Sequence, residues 1–117
     1  MTDYNPVLVE SAIRDCANRI AKGVQVCSER YAAWLDADRF YDRAYAQAYL
    51  EAEGPAHEKK YRAELATEQE RAERDVADVA YRHADRRARA LEAELRGLQS
   101  VNKSVVSMFG AAGRGES

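Results

Sequence analysis

The sequence predicts an all-α fold, a long antiparallel helical hairpin of coiled-coil type, on three observations. First, the stretch after Pro55 runs without Pro or Gly as far as Gly97, a length that only helix accommodates without punctuation. Second, 32% of the residues are charged and 46% hydrophobic, much of the latter Ala; an Ala/Glu/Arg/Leu-rich chain of this kind is typical of long helices and coiled coils. Third, β-branched residues occur singly or in short pairs such as Val7–Val9 and Val105–Val106, so no strand pattern develops.

The first arm is expected over residues 6–53. Asn5 is a candidate N-cap and Pro6 suits the first helical position, where its missing N–H costs nothing. Val9, Ile13, Cys16, Ile20, Val24, Cys27, Tyr31, Trp34 and Tyr41 step by threes and fours, with a polar slot at Asp38. That spacing averages close to 3.5 residues and describes a coiled-coil seam. Gly23 costs the helix about 1 kcal/mol relative to Ala and is the one place where an interruption of the arm is tolerated; the sequence leaves its continuity there open.

Gly54–Pro55 marks the turn: Gly ends one helix and Pro starts the next. The second arm is expected over residues 55–98, with an apolar stripe of Leu65, Ala72, Val76, Ala80, Ala84, Ala88, Leu91, Leu95 and Leu98. Folding about Gly54 sets Trp34 opposite residues near 74–76 and Tyr31 opposite residues near 77–79. Beyond the arm, Leu98, Val101, Val105 and Met108 continue the spacing and predict a short C-terminal helical segment, with Ser100 as a possible cap. Residues 110–117 have the composition of a flexible tail. One domain over residues 1–109 results. An Ala-rich seam between two helices encloses little volume, so the hairpin is expected to form a homo-oligomer. The residues expected in the hairpin or oligomer seam are Ile13, Ile20, Trp34, Tyr41, Val76, Leu91, Leu95 and Leu98.

Several function classes find no support in the sequence. No apolar run of 18 residues predicts a membrane span, and the first sixteen residues lack the basic and apolar regions of a signal peptide; a cytoplasmic location is expected. Cys16 and Cys27 lie eleven residues apart with no CxxC and no matching His, so they are expected as small hydrophobes rather than metal ligands. Asp36, Asp38 and Asp42 come without a loop or His to complete a cation site, and no phosphate-binding glycine motif or nucleophile–base pair is present. No enzyme, no metal site and no cofactor is expected.

Charge carries the sharpest functional signal. Residues 1–54 hold six basic and nine acidic side chains, residues 55–117 twelve and eleven. Arg82, Arg86, Arg89 and Arg96 are spaced 4, 3 and 7 apart, within an arc of about 80° on a helix. They lie across from Ala84, Ala88, Leu91 and Leu95, and Arg87 lies off the row. With Lys103 these arginines form a candidate nucleic-acid-binding surface for phosphates. The alternative is a solvated face: cations suit a helix C-terminus, and Asp78–Arg82, Asp85–Arg89 and Glu92–Arg96 have the favourable i,i+4 order. Tyr41, Tyr45 and Tyr49 line one side of the first arm, either as packing or as a stacking platform.

Residues 41–105 resemble small helical proteins encoded by bacteriophages, some of them similar to recombination mediators of the UvsY-like type. The resemblance rests on a Tyr/Ala-rich first helix, the Gly turn, Lys59 and Lys60 at the restart, Ala66, Thr67 and Arg71, and the terminal Leu95–Ser100. It implies an oligomeric protein that binds single-stranded DNA and assists a recombinase in phage DNA recombination or replication. A structural or adaptor protein that binds another protein through its helix faces, without nucleic acid, remains the alternative.

Overall fold

A computed structural model describes the backbone of residues 5–115 and the side chains of residues 5–110. The described residues are all-α: α1 spans Pro6–Glu51, α2 Ala56–Ala66 and α3 Glu68–Gly115. They group into two compact units. The terminal unit is drawn from Met1–Gln25 and Arg86–Ser117, the turn unit from Val26–Asp85.

In the terminal unit, α1 begins as its sequence dictates. The Asn5 Oδ1 accepts the Leu8 N–H at 2.9 Å, and Pro6 occupies the first helical position. α1 lies antiparallel to α3. The Cys16 thiol donates to the Leu91 carbonyl at 3.3 Å, and Arg19 meets Glu94 at 3.4 Å. Val9, Cys16, Leu91 and Val105 are buried, and Ile13, Ile20, Leu95 and Leu98 are half-buried around them. Cys16 thus packs as a small buried residue, and Cys27 of the turn unit is a half-buried free thiol.

The turn unit closes on Ala52–Pro55. The Ala52 N–H still reaches Ala48 O at 3.0 Å, then Gly54 takes φ +108°, a conformation that L side chains rarely adopt. Pro55 caps α2 rather than entering it, and its carbonyl accepts the Glu58 and Lys59 N–H groups, each at 3.0 Å. Aromatic rings fill much of the unit. Tyr31 stacks on Trp34 at 6.1 Å and meets Tyr81 at 5.1 Å, and Tyr41, Tyr45 and Tyr49 follow at 6.2 and 6.4 Å.

Four expectations need correction. The second arm is not one helix over 55–98 but two, interrupted at Thr67. Its backbone leaves helical geometry (φ −118°, ψ 21°), and its N–H bonds to Glu64 O at 3.3 Å. The Thr67 hydroxyl donates to the Ala63 carbonyl at 2.7 Å, the acceptor that the Thr67 N–H would have used in an unbroken helix. With Thr67 at 2% exposure and Ala63 at 0%, this polar substitution is sealed from water. Thr67→Val, which keeps the shape and removes the donor, is expected to cost about 1–3 kcal/mol. Thr67→Ser should cost less, and urea unfolding of the two variants checks the order.

Second, α3 continues through Gly97 and Ser100 to Gly115. Burial of Val105 farther along the seam offsets the roughly 1 kcal/mol cost of an interior Gly. The flexible tail expected over 110–117 is therefore helical as far as Gly115, and Glu116 and Ser117 lie outside the described residues. Third, Val76 is not a hairpin-seam residue: it is 69% exposed. Ala63, Thr67, Glu70, Arg74, Ala77, Tyr81 and Ala84 form the inward row here, stepping by fours and threes, with Glu64, Arg71, Asp78, Ala80 and Asp85 half-buried along its flanks. Leu65 and Ala72 fall outside it for the same reason. In the first arm Val24 is likewise exposed, while Gly23 and Arg30 are half-buried, and α1 is continuous through Gly23.

Fourth, the Tyr31 ring packs two to four residues farther along the return than expected, while Arg30 at Ala80 and Lys59 at Tyr49 keep the expected pairing. Tyr31 meets Tyr81 rather than residues 77–79. α1 ends at Glu51, and four residues rather than two make the turn.

Candidate nucleic-acid interface

The six basic residues of the candidate interface divide between the units. Arg82 belongs to the turn unit, where its Nε donates to the Asp78 Oδ1 at 3.0 Å. Arg86, Arg87, Arg89, Arg96 and Lys103 belong to the terminal unit, all on α3 and all exposed. Their placement follows from the seam. Ala88, Leu91, Leu95 and Leu98 turn inward, and at 100° per residue Arg86 and Arg89 fall on the opposite side of the helix. Arg96 and Lys103 follow on one flank and Arg87 sits on the other. Among the described residues, Arg86, Arg87, Arg96 and Lys103 enter no ion pair, so the expected Glu92–Arg96 bridge is not formed.

The net charge of each unit sharpens this distribution. The terminal unit has nine basic and six acidic residues, +3, and the turn unit nine and fourteen, −5. Arg30, Arg39, Lys59, Arg74 and Arg82 of the turn unit are engaged by ion pairs, rings or a carbonyl. Arg74 covers the Tyr41 ring at 4.4 Å and touches Asp38 at 3.8 Å and Asp75 at 3.7 Å. Lys59 lies over the Tyr49 ring at 5.1 Å, and Arg30 donates to the Ala80 carbonyl at 3.2 Å. These cations also cover ring faces of Tyr41 and Tyr49, which favours packing over base stacking for the tyrosine row.

A stripe of apolar residues alone does not reach Arg30, Glu70 and Arg74, polar side chains at half-buried positions. Continuing the fours and threes backward from Leu91 through Ala84 and Tyr81, whatever the side chain, reaches Arg74 and Glu70. Glu70 is the anomaly: its Oε2 is buried without a hydrogen-bond partner.

No group of three His, Cys, Asp or Glu side chains suited to a metal ion occurs among the described residues. No helix among them is long and apolar enough to cross a membrane. Shallow, open concave surfaces occur between Asp36, Arg39, Phe40 and Arg43 and along Ser100–Met108 of α3. Comparison with known proteins finds no family, no curated protein and no solved structure that matches the chain.

Proposed function

We propose that this chain is a non-enzymatic, self-associating helical protein, accessory to DNA recombination or replication, that contacts single-stranded DNA through the basic face of its terminal unit. One observation carries the reading. Five cations of α3 stand outside the seam in a unit of net charge +3, the arrangement that phosphate contacts require. The resemblance of residues 41–105 to phage recombination mediators supports the same direction and supplies the process, with a recombinase or another replication protein as the natural partner.

Binding to an oligo-deoxythymidine is expected to weaken steeply between about 50 and 200 mM salt. Replacing Arg86, Arg87 and Arg89 together by Gln should reduce the slope of log K against log salt by about 2, at about 0.7 per lost contact on a single strand. Oligomeric mass should not change. Absence of binding at about 50 mM salt rejects the nucleic-acid reading.

A second reading, a structural or adaptor protein, is favoured by exposed large apolar side chains that the seam does not use, among them Leu65, Val76, Val79, Met108 and Phe109. Under it, polar variants at these positions abolish partner capture and the arginine variants do not.

A further inference from the structure

Beside the hairpin seam, α2 and α3 carry another row at heptad spacing. In the turn unit it presents Leu65, Gln69, Ala72, Val76 and Val79, all exposed, the three large apolar ones at 68%, 69% and 66%, and the Gln69 amide donates to Glu73 of its own helix at 3.2 Å. On its solvent edge beside these residues stand Glu68 and Asp75, both exposed and seven residues apart; the next residue of that edge, Arg82, lies beyond Val79 and is held by its own Asp78 at 3.0 Å. Asp75 touches Arg74 at 3.7 Å and its side chain remains 64% accessible.

In the terminal unit the same row carries Ala90, Ala93, Gly97, Ser100 and Ser104, all exposed, and its edge carries Arg96 and Lys103, again seven apart. A Cβ added at Gly97 would meet nothing within 4 Å. The Ser104 hydroxyl donates to the Ser100 carbonyl of its own helix at 3.4 Å, which leaves a surface fit for apolar contact. Ser100 and Ser104 also line a shallow groove with Val101, Val105 and Met108.

One surface is bulky and edged with carboxylates; the other is small, grooved and edged with cations. We infer that they are the two halves of a contact between two copies of this chain, the turn unit of one copy lying antiparallel on the terminal unit of another. In an antiparallel helix pair each edge row meets the same row of its partner. Setting Asp75 against Arg96 of the second copy brings Glu68 against its Lys103. The same register places Val79 over Ala90 and Ala93, Val76 over Ala93 and Gly97, and Leu65 at the groove beside Ser104. In a parallel pair that edge would meet the opposite one, Arg87, Glu94 and Val101 in the terminal unit, which offers no matching pair of cations. The matching intervals of charge and of size commit the surface to a second copy, and each copy offers one half of either kind. This contact specifies the self-association of the proposed function and does not depend on nucleic acid.

Charge reversal in the intact chain tests it, read by sedimentation equilibrium with circular dichroism as the folding control. The unaltered chain is expected above its monomer mass of 13.1 kDa. The pair Glu68→Lys with Asp75→Arg, and separately the pair Arg96→Glu with Lys103→Glu, should each weaken association about tenfold or more. An equimolar mixture of the two variants should recover it, because every reversed residue then meets its opposite sign. Val76→Ser, which alters no charge, should weaken association at an unchanged melting temperature. A monomeric unaltered chain, either charge variant or Val76→Ser associating as strongly as the unaltered chain, or a mixture that fails to recover, overturns the contact. Loss of oligonucleotide binding with association intact would overturn only the nucleic-acid reading.

Discussion

Leu91→Asp is expected to unfold the terminal unit. Leu91 is 7% exposed, and the described buried apolar side chains of that unit are Val9, Cys16, Leu91 and Val105. Truncating a buried Leu costs about 2–5 kcal/mol through lost transfer energy and the cavity left behind. A carboxylate adds desolvation that nothing at the seam compensates, since the neighbouring α1 group, the Cys16 thiol, is a weak donor already bonded to the Leu91 carbonyl. Together these approach the whole stability of a small domain, about 5–15 kcal/mol. The measurable outcome is a loss of helical circular dichroism at 25 °C or a large fall in the urea midpoint, with assembly lost as a consequence. A midpoint equal to that of the unaltered protein would place Leu91 outside the core.

Glu70→Leu should act in the opposite direction and stabilise the protein. Glu70 occupies a seam position of the turn unit, and its Oε2 is buried without a partner. A buried polar group left unsatisfied costs about 1–3 kcal/mol, and replacing a buried charge by an apolar side chain of similar volume often raises stability. Arg74, one turn on, is not orphaned by the change. It retains Asp38 at 3.8 Å, Asp75 at 3.7 Å and the Tyr41 ring. The expected result is a rise in unfolding free energy of about 1–3 kcal/mol, read from the urea midpoint at constant slope. A fall instead would mean that Glu70 holds a water or a partner group at this point of the seam.

The two variants have opposite signs at equivalent places in one pattern. Leu91 and Glu70 are separated by three heptads, and both sit on the inward row of α3. The fours and threes from Ala63 to Val105 take in Ala, Leu and Val, but also Thr67, Glu70 and Arg74. Where the facing residues are Tyr41 and Asp38, a cation can fill the seam through a ring face and a carboxylate. The terminal unit uses aliphatic side chains instead. The exposed ion pairs, such as Arg14–Glu10 at 3.6 Å and Arg39–Asp36 at 3.6 Å, add at most about 1 kcal/mol each.

The basic face was legible because helical spacing alone separates Arg86, Arg89 and Arg96 from Leu91 and Leu95. Its division was not legible. Arg82 is tied to Asp78 in an acidic unit, while Arg86, Arg87 and Arg96 stand in a basic one, and only the contacts of the fold draw that boundary.

The sequence by itself determined the all-α class, the start of α1 at Asn5–Pro6, the turn at Gly54–Pro55, and the inward aliphatic row from Leu91 to Leu98. Each follows from local chemistry: a capping carboxamide, a residue that tolerates positive φ, a side-chain period near 3.5. Tertiary structure decided the rest. It placed Arg74 inside and Val76 outside, because a charged side chain with a ring and carboxylates beside it can occupy a seam while an apolar one in the wrong row cannot reach it. It also broke the second arm at Thr67, where the hydroxyl takes the carbonyl that the backbone N–H relinquishes.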